Sequence, residues 1–154
     1  MESRVKIIDY QPEHQPHFEA LNKSWIVKYF HLEPIDKAVL EHPKEHIYDH
    51  GGLIIMAQYD GKIVGTVALK RIDEHSLEMT KMAVDENYQG FKIGLKLGEA
   101  ILQKARDLKA RKVILYSNRK LVPAISLYRK LGFIEVPVEP GKYERCDIKM
   151  EIEV

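Results

Sequence analysis

The sequence predicts a mixed α/β (α+β) fold, with one mostly antiparallel central sheet of about six to seven strands flanked by about four helices. Two observations predict it. Short β-type runs alternate with helical periodicities in the order strand, two helices, three strands, helix, strand, helix, two strands. The tight-turn pair Asp60-Gly61 joins two of these runs as antiparallel neighbours, whereas helices separate the later strands. The 154 residues, 45% of them hydrophobic, suffice for one core, so a single domain over residues 1–154 is expected.

The N-terminal third predicts one strand and two helices. Val5 to Tyr10 is a β-type run that ends before Pro12. Helical spacing then marks an amphipathic helix, with apolar residues at Phe18, Leu21, Trp25, Ile26 and Tyr29. A second helix is expected between Pro34 and Gly51-Gly52, although Pro43 disturbs its middle. Its apolar residues are Val39, Leu40 and Ile47.

Three consecutive strands are expected in the middle of the chain. Leu53 to Tyr59 and Ile63 to Leu69 flank the Asp60-Gly61 turn and form a hairpin with it. A third run covers about Leu77 to Val84. The first half of the sheet is therefore expected to be antiparallel.

Helices and strands alternate in the C-terminal half. A helix is expected between Gly94 and Lys109, with apolar residues at Leu97, Ala100, Ile101, Ala105 and Leu108. A shorter helix at Pro123 to Leu131 has proline in its first turn and Gly132 as its C-terminal cap. Three further strands are expected, at Val113 to Tyr116, Phe133 to Val138 and Asp147 to Val154.

The charge balance and the cysteine content narrow the class of protein. The 24 Lys and Arg residues nearly cancel the 23 Asp and Glu residues, so no global field argues for nucleic acid or an anionic membrane as the main partner. The longest apolar runs are far shorter than the roughly 20 residues that span a bilayer. The single cysteine, Cys146, cannot form an internal disulfide, and no secretory pattern opens the chain. The cytoplasm is the expected location.

The most informative stretch runs from Met82 to Gly94, where a strand leads through a polar turn into the start of a helix. The first N–H groups of a helix lack intrahelical partners and carry partial positive charge, which favours a phosphate group. Gly90 lets a ligand approach the backbone, and Lys92 and Lys96 add positive charge. Neither a dinucleotide fingerprint nor a P-loop occurs here. By itself the stretch fits a phosphate cradle or, equally well, a turn at Gly90 with Gly94 packing close to a strand.

Three motifs, taken in order, resemble those of the GNAT N-acetyltransferase superfamily. The central family motif is Gln or Arg, two residues, Gly, one residue, then Gly or Ala. Gln89 and Gly94 match it, whereas Lys92 replaces the middle glycine. Glu78 to Val84 is similar to the family's central strand, and Ala124 to Phe133 is similar to its Ala-x-x-Leu-Tyr-x-x-x-Gly-Phe helix motif.

The resemblance covers about Leu53 to Phe133 and implies acetyl-CoA as a co-substrate, with no metal. It implies that the central strand splays from its neighbour and that the pantetheine arm bonds to the backbone there, around Met82 and Val84. Asn118 ends a strand and is a candidate for bonding pantetheine amides or the backbone. The residues expected at the cofactor are Met82, Ala83, Val84, Gln89, Gly90, Phe91, Lys92, Ile93, Gly94, Leu95, Lys96, Asn118, Ala124, Leu127 and Lys130.

Glu78 is the candidate general base. Acetyl transfer needs a neutral amine, yet an alkylamine with a pKa of about 10.4 is almost entirely protonated at pH 7. A carboxylate on the central strand can take that proton directly or through a water. The alternative is a surface glutamate on a strand that alternates polar and apolar residues.

Tyr128 is the candidate general acid. The resemblance places it beside the sulfur of the departing coenzyme A thiolate, and a phenol with a pKa near 10 carries its proton at pH 7. The alternative is a tyrosine that packs its ring in the core.

Two other clusters are interpreted as structural features. His42, His46 and His50 recur every four residues, as metal ligands on one helix face can, but Pro43 and neighbouring glutamates favour a solvated polar face. Trp25 is assigned to the core stripe of its helix. Tyr29 and Phe30 fit either the core or an acceptor pocket, because the first two helices border that site in the family.

The leading hypothesis is acetyl transfer to a primary amine by direct attack in a ternary complex, without participation of Cys146. A non-catalytic acyl-CoA sensor or interaction module is the second hypothesis, motivated by Lys92. A protein N-terminus or lysine is an alternative acceptor. The acceptor contacts are expected from the N-terminal helices and the segment from Val136 to Arg145, and homodimer formation stays open.

Overall fold

The protein is described by a computed structural model that covers residues 4–139 and 145–154. Its helices and strands follow the predicted order. The strands are β1 (Val5–Asp9), β2 (Leu53–Tyr59), β3 (Lys62–Arg71), β4 (Ser76–Val84), β5 (Lys112–Ser117), β6 (Ile134–Val136) and β7 (Ile148–Glu153). The α-helices are α1 (Gln15–Tyr29), α2 (Pro34–Glu41), α3 (Pro43–His46), α4 (Ile93–Asp107) and α5 (Val122–Leu131).

All described strands join one sheet in the order β1-β2-β3-β4-β5-β7-β6. Every neighbouring pair is antiparallel except β4 and β5, which are parallel and connected through α4. The predicted mixed, mostly antiparallel sheet is therefore confirmed. Residues 140–144 lie outside the described residues, so the expected acceptor segment from Val136 to Arg145 is described only at its two ends.

The sheet is buried on both faces. Successive residues of β2 point to opposite sides, so Ile55 and Ala57 join one core cluster while Ile54 and Met56 join the other. On one face, α4 contributes Ile93, Leu97, Ile101, Leu102 and Ala105. On the opposite face, α1 and α2 contribute Phe18, Ile26, Val39 and Leu40. Any site on the sheet must therefore open between helices.

The single helix expected after Pro34 is instead divided at His42. Pro43 cannot donate the backbone hydrogen bond that would continue α2, so α2 ends at Glu41 and the short α3 begins at Pro43. A 3₁₀ turn at Tyr48–His50 follows. His42, His46 and His50 consequently do not share one helix face, and no group of three or more potential metal ligands occurs within residues 4–139 and 145–154.

Two glycines let α4 pack closely against α5. A Cβ atom at Gly94 would lie 3.1 Å from Leu127 Cδ2, and one at Gly98 would lie 2.4 Å from Leu131 Cδ1. The close neighbour of Gly94 is thus the helix α5 and not a strand, which corrects the structural alternative considered for this glycine. Among the described helices, none is long and apolar enough to cross a membrane.

Candidate active site

The candidate site begins where two parallel strands separate. The register of β4 with β5 pairs Ser76, Leu77 and Glu78 with Lys112, Val113 and Ile114, and over the described parts of both strands it goes no further. Beyond Glu78 the backbones diverge and leave polar groups of both strands facing a gap. The splay that the family resemblance implied is present in the structure.

A β-bulge at Lys81 sharpens this divergence. The register of β3 with β4 shifts between Thr66 and Ala68, and Lys81 has a left-handed backbone with φ of 56°. Leu77 and Met79 pack against the α4 side of the sheet, and so do Met82 and Val84. The step from Met79 to Met82 is three residues instead of two, which shows that the bulge inserts one residue into the alternation.

A narrow cleft of about 70 Å³ occupies the gap between the strands. It runs from α5 on one face of the sheet to α1 on the other. Its walls come from five parts of the chain: Trp25 and Phe30 of the first helix and its end; Glu78, Met79, Thr80, Lys81 and Met82 of β4; Leu115, Tyr116, Ser117, Asn118 and Leu121 of β5 and the following loop; Tyr128 of α5; and Arg145 and Cys146 before β7.

Glu78 lines this cleft and is 1% exposed. Its strand neighbours Leu77 and Met79 point toward α4, so the Glu78 carboxylate points to the face covered by α1 and α2. The interpretation of Glu78 as a surface glutamate is therefore wrong. Strand β4 alternates polar and apolar residues because its two faces have different surroundings. One face packs against α4, and the other borders the cleft, which contains polar groups.

Tyr128 lines the same cleft from α5, across from β4. Its ring packs edge-on against Phe133 at 6.2 Å between centroids, and its backbone carbonyl caps the helix by accepting from the Phe133 N–H at 3.0 Å. Burial raises the pKa of Tyr128 to about 12. The phenol thus keeps its proton throughout the neutral range, and its ring packs against the core, as the structural alternative expected. The role of Tyr128 as general acid stays a prediction.

The expected phosphate cradle lies on the surface at the start of α4. Gln89, Gly90, Phe91 and Lys92 are exposed, whereas Ile93 is buried and anchors the helix. Helix geometry leaves the first N–H groups, including those of Gly94 and Leu95, without intrahelical acceptors, and the first backbone bond of this turn runs from Lys96 to Lys92.

Lys92 occupies a position that favours glycine. It is the N-cap of α4 with φ of 60° and ψ of 28°, in the left-handed region, and Gly90 two residues earlier has φ of 93°. The family glycine that Lys92 replaces therefore has a conformational reason in this chain. A lysine there accepts backbone strain and places an ammonium group beside the helix N-terminus.

The remaining cofactor candidates differ in their surroundings. Asn118 lines the cleft, but its amide donates to the Arg145 carbonyl at 2.6 Å and accepts from the Lys120 N–H at 3.0 Å. The bond to Arg145 connects the loop after β5 to the residues that precede β7. On α5, Ala124 and Leu127 are half-buried and Lys130 is exposed. Ala83 is buried in β4, with Met82 and Val84 half-buried on either side.

A buried ion cluster on the α1 and α2 side was missed by sequence reasoning. The Asp36 carboxylate, fully buried at the start of α2, accepts from Lys81 Nζ at 2.7 Å and from two nitrogens of Arg145 at 2.7 Å each. Arg145 also donates to Glu33 at 2.6 Å. Asp36, Lys81 and Arg145 are separated by tens of positions in sequence, and no local pattern signals their contact.

The charges in this cluster stabilise one another. Burial by itself would raise the pKa of Asp36, but the hydrogen bond from Arg145 and the nearby Lys81 ammonium hold it at about 2. Burial lowers the pKa of Lys81, against the opposing attraction of Asp36. The cluster joins three segments that border the cleft, namely the connection between α1 and α2, the bulge of β4 and the residues before β7.

Two aromatic residues and one thiol also line the cleft. Trp25 packs against the core beneath α1, as assigned, but it lines the cleft as well, together with Phe30. The two rings meet edge-on at 6.3 Å between centroids, whereas Tyr29 is 48% exposed. Cys146 lines the cleft too, and burial raises the pKa of its thiol to about 11.

A family model, curated relatives and solved structures were each found to be similar to this chain. The family model described as the acetyltransferase (GNAT) family matches residues 15–133. N-acetylaspartate synthetase of Xenopus tropicalis is 34% identical over 89 residues, which cover 57% of this chain and 33% of that protein. The chain spans between a third and about three fifths of the length of this relative and of two others that it matches.

Solved structures share the whole fold. A GNAT-family acetyltransferase from Staphylococcus aureus superimposes with a TM-score of 0.85 at 23% identity, covering 97% of this chain and 98% of that one. A putative acetyltransferase from Salmonella typhimurium, solved with acetyl-CoA, superimposes with a TM-score of 0.78 at 16% identity, covering 98% and 94%. At these identities the likeness concerns the fold.

Proposed function

The chain belongs to the acetyltransferase (GNAT) family, and on that premise we propose that it transfers the acetyl group of acetyl-CoA to a primary amine by direct attack in a ternary complex. Glu78 is the general base, acting directly or through a water, and Tyr128 is the general acid. One observation carries this proposal. Glu78 and Tyr128 both line the cleft that opens where β4 leaves β5.

Acetyl-CoA fits the chain's own geometry. The pairing of β4 with β5 ends at Glu78, so the backbone of Met82 and Val84 lies beyond the paired part of the two strands, where the family resemblance implies that the pantetheine arm binds. A structure of the same fold from Salmonella typhimurium was solved with acetyl-CoA. The start of α4 offers N–H groups and the Lys92 ammonium to phosphates. When bound, acetyl-CoA supplies an activated acyl group on a thiolate leaving group.

Glu78 acts on the incoming amine. A protonated amine has no lone pair for attack, and the buried Glu78 carboxylate lies on the face of the sheet where the cleft opens toward α1. Accepting a proton there leaves the amine neutral at the moment of attack. A water bridging Glu78 and the amine serves the same purpose if the distance is too long for direct transfer.

Tyr128 acts on the opposite side. Its raised pKa keeps the phenol protonated, so it can donate to the departing sulfur without first acquiring a proton. Cys146 is unsuited to an acetyl-enzyme route, because a thiol with a pKa of about 11 is almost entirely protonated at neutral pH and nucleophilic attack needs the thiolate.

The test compares Glu78→Gln and Tyr128→Phe with Glu99→Gln and Tyr59→Phe, which make the same substitutions away from the cleft. Thiol release from acetyl-CoA across an amine panel is the readout, with coenzyme A affinity measured in parallel. Loss of a general acid or base is expected to lower kcat about 10²- to 10⁴-fold while affinity changes little. An unchanged rate would remove that residue from its role. Tight coenzyme A binding without thiol release for any amine would instead support the sensor function.

A further inference from the structure

The charges around the cleft indicate which amines it accepts. We infer that the acceptor is a slender primary amine with an apolar or aromatic body and no carboxylate beside its nitrogen, as in an arylalkylamine. This inference rests on the proposed function, because it names the acceptor class of that same site. It excludes free α-amino acids and favours small amines over peptides and protein surfaces.

Within residues 4–139 and 145–154, the two cations that line the cleft, Lys81 and Arg145, are already committed to carboxylates. Arg145 makes two bonds of 2.7 Å to Asp36 and one of 2.6 Å to Glu33, and Lys81 lies 2.7 Å from Asp36. The low pKa of Asp36 keeps it ionised at neutral pH. A substrate carboxylate could bind Arg145 or Lys81 only by displacing a buried internal partner, which is costly.

The other charges of the cleft oppose an anion. Among the described residues, Glu78 is the carboxylate that lines the cleft; Glu33 and Asp36 do not line it but neutralise Arg145 and Lys81, which do. Lys70 lies opposite Glu78 in register on β3 but does not line the cleft. An α-amino acid whose nitrogen reaches Glu78 would bring its carboxylate, two bonds away, close to the Glu78 carboxylate, and the two negative charges would repel each other. An amine without a carboxylate brings only the positive charge that Glu78 attracts.

Apolar rings form the wall next to these charges. Trp25 and Phe30 meet edge-on and line the cleft on the α1 side, with Leu115 and Leu121 contributing from the side of β5. Aromatic faces attract both apolar bodies and ammonium groups. An arylalkylamine satisfies the two requirements together, since its ring lies against the rings and its nitrogen points to Glu78.

Two side-chain contacts fix the connection between α1 and α2 beside the cleft. The Lys120 ammonium donates to the Tyr29 carbonyl at 2.9 Å and lies 4.0 Å from the centre of the Phe30 ring. Arg145 reaches Glu33 at the other end of the same connection between α1 and α2. Residues 29–33, of which Phe30 lines the cleft, are thus tied down at both ends, and a fixed wall beside a narrow cleft suits a slender ligand better than a protein surface.

The test measures binding to the protein saturated with coenzyme A, using calorimetry on three matched compounds: 2-phenylethylamine, phenylalanine and phenylalanine amide. The amine is expected to bind at least tenfold more tightly than phenylalanine, which corresponds to about 1.4 kcal/mol. The amide, which has the bulk of phenylalanine without its negative charge, is expected to bind within about threefold of the amine. Equal or tighter binding of phenylalanine would overturn the inference, and so would an amide as weak as phenylalanine.

Glu33→Gln adds a direct check of the charge argument. Glutamine can still accept the hydrogen bonds that cap α2, but it withdraws one carboxylate from Arg145. The preference for the amine over phenylalanine is expected to shrink at least threefold. Glu41→Gln, the same substitution at the far end of α2, is the control and is expected to leave the preference unchanged. An unchanged preference in Glu33→Gln would contradict the inference.

Two peptides test the size argument, one with an N-terminal phenylalanine and one with a blocked N-terminus and a single lysine. Both are expected to bind at least tenfold more weakly than 2-phenylethylamine. A tighter peptide would overturn the inference and assign the site to protein acceptors. Failure of the proposed function has a different signature, because the amine would then bind to the coenzyme A complex while acetyl-CoA released no thiol with it.

Discussion

The proposed phosphate cradle and the proposed acceptor side of the cleft are built in different ways. The cradle is one continuous segment, Gln89 to Gly94, exposed at the surface and shaped by backbone conformation. The acceptor side brings together Trp25, Asp36, Lys81 and Arg145 from four separate segments. The three charged groups among them are largely buried. One region depends on local geometry and the other depends on long-range pairing.

This difference predicts how each region responds to substitution. A change in the cradle alters a few exposed groups and leaves the core intact. A change in the buried cluster leaves an uncompensated charge and loosens three segments at once. The acceptor side is therefore expected to be the more fragile region, while the cradle tolerates variation such as Lys92 at a glycine position.

The largest effect is expected from Asp36→Asn. Removing this carboxylate leaves Lys81 and much of Arg145 buried without their main partner, and breaking a buried pair costs about 3–5 kcal/mol. Chemical denaturation would measure the free energy of unfolding, with the exposed Asp107→Asn as the control. A loss below about 1 kcal/mol would show that the cluster relaxes or is hydrated, and the contrast between the two regions would disappear.

Acid titration tests the same residue without mutation. The pKa of Asp36 is about 2 in the folded protein, below its ordinary value of 3.8, so its stabilising contribution is complete above about pH 4. That contribution, about 2–3 kcal/mol, is lost as the pH falls from about 4 through 2. Unfolding free energy measured over this window should fall less steeply in Asp36→Asn. Parallel curves for the two proteins would contradict the assignment.

A smaller effect of opposite sign is expected in the cradle. Lys92→Gly and Lys92→Asn both suit a left-handed backbone, so each is expected to raise stability by up to about 1 kcal/mol. Both remove the ammonium group, so coenzyme A affinity is expected to fall severalfold and to become less dependent on salt. Thermal unfolding and calorimetry at two ionic strengths measure the two effects. Much tighter coenzyme A binding by Lys92→Gly would show that lysine impairs the cradle.

The smallest effect is expected from Cys146→Ala. The thiol is half-buried at the cleft and largely protonated, so its removal is expected to change kcat less than about twofold. Steady-state kinetics with the best amine provides the measurement. Complete loss of turnover in a folded variant would refute direct transfer and make Cys146 an acetyl carrier.

The order of the helices and strands could be predicted from the sequence because each depends on local periodicity. Strand β2 was predicted at its observed limits, and the hairpin at Asp60-Gly61 followed from turn chemistry. The divided helix after Pro34 was not predicted, although Pro43 carried the signal. The sequence placed Glu78 and Tyr128 as candidates through family motifs, and the structure brings both to one cleft.

By itself, then, the sequence determined the fold and the family, since these rest on spacing along the chain and on short motifs, and on the same basis it predicts where a phosphate cradle lies. Only the tertiary structure decided that Glu78 is buried, because the covering of both sheet faces is a long-range property. The bulge at Lys81 and the cluster of Asp36 with Arg145 likewise depend on segments that meet only after folding. Electrostatic partners far apart in sequence leave no periodic trace, and they are what shapes the acceptor side of the site.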